Sequence, residues 1–225
     1  MNVLSIFRDA CFFYSRNLAA IIRLCLPWIL LESGTRLIVD QLLGKGAMPA
    51  QELLVGLVFY PFYVGALILY LDARSRGFDP TVREVLARAL RLWPALAVLA
   101  GLSTLLIMLG ASLFVLPGIW IMVRMAFAEY LLVLRGMTPL AALKESFVLT
   151  RGRFLLVLGC TLIVLLPVWL LEAGLAASLW HGDTPPGALA VLVDSGLGLL
   201  QLLATVVLFR CYMLCSGPAA AADER

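Results

Sequence analysis

Leu92-Trp93-Pro94-Ala95-Leu96-Ala97-Val98-Leu99-Ala100-Gly101-Leu102-Ser103-Thr104-Leu105-Leu106-Ile107-Met108-Leu109-Gly110-Ala111-Ser112-Leu113-Phe114-Val115-Leu116-Pro117-Gly118-Ile119-Trp120-Ile121-Met122-Val123 runs for 32 residues without one charged side chain. As a single helix it would be roughly 48 Å long. The hydrocarbon core of a bilayer is about 30 Å thick. The run is therefore too long for one span, and Leu116-Pro117-Gly118 supplies the turn that divides it. It is continuously apolar and lacks the period-two alternation of a membrane barrel strand, so helices are expected.

Outward from this stretch the same reading gives six membrane spans, at about 18–39, 53–71, 92–115, 118–134, 154–179 and 188–209. Gly44-Lys45-Gly46 and the segment His181 to Gly187 carry the turn chemistry between the first and last pairs. The whole chain of 225 residues reads as one all-α, polytopic membrane helical bundle. Composition agrees: 63% of residues are hydrophobic, 14% are charged, and the mean hydropathy is +1.01. A soluble domain is about 45–50% apolar and about 25% charged. The net charge of +3 gives no case for nucleic acid.

The basic residues fall on one side of the expected topology. Arg8, Arg16, Arg74, Arg76, Arg83, Arg88, Arg91, Arg135, Lys144, Arg151, Arg153, Arg210 and Arg225 share a side, and only Lys45 lies on the other. The positive-inside rule then puts both termini in the cytoplasm. Arg8, Asp9 and Arg16 precede a long apolar segment without a small-residue cleavage site, so the first span is expected to be retained.

An internal repeat links Arg76-Gly77-Phe78-Asp79-Pro80 to Arg135-Gly136-Met137-Thr138-Pro139. Each copy precedes an amphipathic stretch and then a span. Asp79 and Thr138 are placed as N-caps, with proline in the first turn. Leu26 to Glu32 also echoes Leu166 to Glu172, as either a repeat or the chance likeness of leucine-rich helices. The expected plan is three units, each an interfacial helix followed by a helical hairpin. The interfacial helices fall near 4–16, 80–91 and 139–150. In the second, Val82, Val85, Leu86, Ala89, Leu90 and Trp93 recur at i, i+3, i+4 and i+7, apart from Arg83, Arg88 and Arg91. Such a helix lies in the interface with its arginines on anionic lipid at the cytoplasmic face, or packs beneath the bundle. Lys144, Arg151 and Arg153 extend the same basic face.

No catalytic constellation is present. His181 is the sole histidine, and the five cysteines form no C-x-x-C pair. They read as small packing residues, with no metal or cofactor expected. There is no G-x-S-x-G, GK[ST] or H-E-x-x-H motif, and no enzyme is expected.

Charge inside the spans is the informative polar feature, because it is expensive in lipid and faces the bundle interior. Counting from the expected turns puts Arg124, Asp194 and Glu32 roughly 10 Å below the outer face, with Glu172 nearer that face. Arg36 follows Glu32 by one helical turn. A candidate outer cluster of Arg124, Glu32, Glu172, Asp194 and Arg36 is expected, and an inner-half pair of Arg23 with Glu129. Two readings stay open: ion pairs that fix helix register, and a polar pocket or proton-linked path.

The stretch Leu116-Pro117-Gly118-Ile119-Trp120 with Arg124 to Ala128, then Gly136 to Phe147 and Thr150-Arg151-Gly152, resembles the YciC-like bacterial inner-membrane proteins. More distantly it is similar to the membrane domain attached to some glycerophosphodiester phosphodiesterases. The pattern falls here on Pro117, Gly118, Arg124, Ala142, Leu143 and Ser146. The resemblance implies a multi-span inner-membrane protein without a settled activity, and no phosphodiesterase domain is present to carry that chemistry over. The expected function is non-enzymatic, in membrane or envelope homeostasis, as a scaffold or lipid-contacting protein. Its partners would be the lipid bilayer, membrane proteins or a second copy of the chain. The alternative is a small transporter or channel-like protein using the intramembrane Arg/Glu cluster.

Overall fold

The computed structural model describes residues 3–43, 49–179 and 187–216, without the side chains of residues 43, 49–52 and 176–179. The turns expected at 44–46 and 181–186, with Lys45 and His181, and the terminal Arg225 lie outside the described residues. The described chain is helical and contains no strand. The elements are α1 (Val3–Arg16), α2 (Leu18–Leu43), α3 (Pro49–Ser75), α4 (Val82–Leu113), α5 (Val115–Met125), α6 (Ala128–Arg135), α7 (Pro139–Leu149), α8 (Phe154–Leu179) and α9 (Gly187–Ser216). Six stretches are long and apolar enough to cross a membrane: α2, α3, α4, α5 with α6, α8 and α9. The protein is an all-α polytopic helical bundle.

The Arg-Gly repeat ends α3 and α6 in the same way. Gly77 and Gly136 adopt left-handed conformations, with φ of +83° and +64°. After α3 the Phe78 N–H reaches the Ala73 carbonyl and the Gly77 N–H reaches Arg74, the two bonds that close a helix at a left-handed glycine. The next helix does not start at Asp79. Thr81 caps α4 in a reciprocal box with Glu84, while Asp79 turns back to pair with Arg74. Thr138 is the N-cap residue of α7, with Pro139 in its first turn.

The three amphipathic segments fold as α1, the first turns of α4, and α7. Each buries a pair of residues one turn apart: Ile6 and Ala10, Val85 and Ala89, Ala142 and Ser146. The second segment runs without interruption into its span, making α4 a helix of 32 residues. Its apolar face divides, with Val85 and Ala89 against the bundle and Leu90 exposed.

The long apolar run turns at Phe114, three residues before Pro117. Phe114 is extended, with φ −162° and ψ 157°, and serves both as C-cap of α4 and N-cap of α5. Pro117 sits inside the first turn of α5, where the missing N–H has no intrahelical acceptor to lose. Gly110 and Gly118 let the two helices touch: a Cβ on Gly118 would lie 2.9 Å from the Ala111 Cβ. A second break, at Ala126 and Phe127, separates α5 from α6.

α3 is the centre of the bundle, touching α2, α4, α6 and α9. Phe62, Val64, Ala66, Leu67, Ile68 and Leu71 are buried along it. Gly65 admits Leu96 of α4, so close backbone approach replaces side-chain bulk. The outside is the reverse of a soluble surface. Leu105, Leu109, Leu116, Leu155, Leu170 and Leu192 are exposed, the surface that hydrocarbon would cover.

Candidate functional site

Polar groups that a span can hold only inside a bundle converge between α2, α3, α8 and α9. On α2, Glu32 and Arg36 form an ion pair one turn apart, the spacing that sets two side chains on one helical face. Glu32 is 5% exposed, with the Tyr63 hydroxyl of α3 beside it. Ser33, beside it in sequence, points to α9 and donates to Asp194 Oδ2 at 2.6 Å. Ser195 donates in turn to Ser33 at 3.4 Å.

Glu32, Ser33, Arg36, Tyr63, Asp194 and Glu172 of α8 line a cavity of about 150 Å³, with Trp169 and Gln201. A second cavity, of about 330 Å³, shares Ser33, Arg36, Glu172, Asp194 and Leu197 with it and extends to Asp40. Deeper in the bundle, a third cavity of about 240 Å³ shares Tyr63, Gly198 and Gln201 with the first. Its one carboxyl is Glu129, at the start of α6, with the Tyr60 hydroxyl beside it. Tyr130 lines it too and is fixed by donating to the Thr205 carbonyl at 2.8 Å. Three adjoining cavities thus run from the Asp40 end of α2 to Glu129.

Glu32, Arg36, Glu172 and Asp194 therefore meet around one space. Arg124 does not join them. Its guanidinium lies 5.3 Å from the Trp120 ring centre and 5.7 Å from that of Phe147, and donates to Thr150 Oγ1 at 3.4 Å. The physical reason is the break after α5, which seats Arg124 on the C-terminal end of α7. Ser146 holds that break: its hydroxyl donates to the Arg124 carbonyl at 2.8 Å and accepts the Phe127 N–H at 3.2 Å. Nor do Arg23 and Glu129 meet. Arg23 is on the exposed side of α2, where its stem can lie along lipid while its head reaches the interface. Arg83, Arg88, Arg91, Lys144 and Arg151 are exposed, and Arg153 is half-buried beside Cys215.

The end of the bundle that holds the arginines has its own polar hub. Asn17, at the junction of α1 and α2, accepts from the Tyr70 hydroxyl at 3.3 Å and from Arg74 Nε at 3.2 Å. It donates to the Phe13 carbonyl at 2.9 Å. Sequence reasoning missed Asn17, Ser33, Tyr60, Tyr63 and Gln201. The available signal was the placing of polar side chains inside or at the edge of apolar helices, with Tyr60 and Tyr63 one turn apart. Among the described residues, no group of three His, Cys, Asp or Glu side chains is placed to hold a metal ion.

No family model matches the chain, and no solved structure matches it. The chain is similar to proteins named UPF0259 membrane protein from Yersinia pestis (strain Pestoides F) and Yersinia pseudotuberculosis serotype O:3 (strain YPIII). Each is 28% identical over 175 residues. The match covers 77% of this chain and 65% of the relative, less than two thirds of the relative's length. The likeness and the six apolar helices together make this a multi-pass membrane protein in contact with the lipid bilayer.

Proposed function

We propose that the protein is a non-enzymatic component of the bacterial inner membrane that acts in envelope homeostasis by contacting lipid and scaffolding other membrane proteins or further copies of itself. The arginine-bearing end faces the cytosol in this reading, with both termini there. One observation carries it. At the start of α4, Arg83, Arg88 and Arg91 are exposed next to exposed Val82 and Leu90. Basic and apolar side chains on one exposed surface are the chemistry of a helix held against anionic headgroups. The YciC-like pattern over residues 116–153 supports the same class of protein. The test is purification in native lipid followed by mass spectrometry of the bound lipids. Anionic lipid should be enriched over the bulk membrane, and the enrichment should fall in the triple variant Arg83→Gln, Arg88→Gln, Arg91→Gln. Equal lipid profiles for the two proteins would defeat the reading.

The adjoining cavities favour a second reading, a small transporter. Its path would use Glu32, Arg36, Glu172 and Asp194 without Arg124. Solute flux into proteoliposomes that is lost in Glu32→Gln supports it, and absence of flux for a panel of small ions and amines counts against it.

A further inference from the structure

The inner cavity has a lining that the lipid-contacting role does not explain. Glu129 presents a carboxyl to a space of about 240 Å³ deep between the spans, and no described cationic side chain lines that space. Among the described residues Glu129 forms no ion pair, and the polar group beside it is the neutral hydroxyl of Tyr60. A carboxyl held inside a membrane bundle without a counter-charge is costly, and such groups mark ligand or ion sites. The rest of the wall is suited to one kind of counter-charge. Tyr60, Tyr63 and Tyr130 supply aromatic rings, and Met122 and Met125 supply polarisable thioethers. Rings attract a cation through their quadrupole, and thioethers pack on irregular apolar bodies.

The approach to this chamber has the matching sign. The two adjoining cavities carry Glu32, Asp40, Glu172 and Asp194 against one cation, Arg36, whose charge is already paired with Glu32. Low-dielectric walls focus such an excess of negative charge and draw in cations. Simple metal cations fit the chamber poorly, since its lining offers one carboxyl among mostly apolar groups rather than a cage of oxygens.

We propose that the inner chamber binds a small organic monocation, an alkyl- or aryl-substituted ammonium. Its charge pairs with Glu129 and its apolar body packs on Tyr60, Tyr130 and the methionines. The ligand enters from the end of the bundle opposite the arginines. This site goes beyond the lipid-contacting role and stands whether or not anionic lipid is enriched at α4.

The full chain, purified in an uncharged detergent, is tested by equilibrium dialysis with labelled benzyltrimethylammonium. Saturable binding at one site per chain is expected, weakened at least about tenfold in Glu129→Gln. Arg8→Gln, on the exposed side of α1, should bind as the unsubstituted protein does. Neopentylbenzene, which has the same shape and no charge, should not compete. Lack of saturable binding by the folded protein, equal affinity in Glu129→Gln, or effective competition by the neutral compound each overturns the proposal. If Glu129→Gln does not fold, Ser103→Leu carries the test by filling the chamber from α4. Loss of binding then supports the site, and unaltered affinity refutes it.

Discussion

The Ser146 hydroxyl donates to the main-chain carbonyl of Arg124 across 22 residues of sequence, at 2.8 Å. It also takes the Phe127 N–H, so one side chain of α7 satisfies both sides of the break between α5 and α6. Ser146 is fully buried, and water has no access to replace it. Ser146→Ala should therefore leave a donor and an acceptor unpaired and cost about 1–3 kcal/mol. Reversible unfolding in mixed micelles measures this. A variant as stable as the original protein would show that the break is held by something else.

Gly118 and Ala111 bring the backbones of α4 and α5 close together in their hairpin. A Cβ on Gly118 would also lie 3.0 Å from the Ala111 Cα and 3.1 Å from its N. Those are backbone atoms, so the helices must separate. Gly118→Leu should destabilise the protein by about 1–3 kcal/mol through overpacking. Gly174→Leu is the control, since nothing lies within 4 Å of a Cβ there. The two variants should differ clearly in thermal stability in detergent, and similar values would mean that the hairpin is looser than described.

The class of the fold was legible because run length is a direct physical measure: Leu92 to Val123 is too long and too apolar for anything but lipid-crossing helices. The pairing of Glu32 with Arg36 was legible from helical spacing, since both partners lie on one element. Arg124 was misplaced because Arg124-Met125-Ala126-Phe127-Ala128 carries no glycine or proline to announce a break. The break is made from outside, by Ser146, and no local pattern records it. The same limit applies to Phe114, where the turn precedes Pro117 because proline is accommodated in a first helical turn. Glu129 meets Tyr60 rather than Arg23 for a related reason. Depth can be counted along a span, but which neighbour a face meets depends on packing between helices.

Asn17 joins α1, α2 and α3 at the arginine-bearing end, so its amide should matter more than its size. Asn17→Leu removes the acceptor of the Tyr70 hydroxyl and of Arg74 Nε, and is expected to cost about 1–3 kcal/mol. Asn17→Asp keeps an acceptor and places it against a guanidinium, and should recover most of that loss. Limited proteolysis of α1 offers a second readout, with faster cleavage in the leucine variant alone. Equal behaviour of the two variants would remove the hub from the account of how α1 is held.

Tyr14 of α1 donates its hydroxyl to the Leu199 carbonyl of α9 at 2.8 Å. Burial first, and then the nearby Cys25 thiol, push this phenol up to about 12. The proton is therefore held more tightly in the folded chain than in the unfolded one, where a tyrosine ionises near about 10. The contribution is fully present below pH 10 and falls as pH rises from about 10 to about 12, because the unfolded chain gives up its proton first. Tyr14→Phe should lose the hydrogen bond, about 0.5–1.5 kcal/mol at neutral pH, and lose part of the alkaline sensitivity with it. The difference in phenolate absorbance between the two proteins across an alkaline titration isolates Tyr14. A difference that develops near pH 10 would mean that the hydroxyl is open to water and that α1 is not docked on α9.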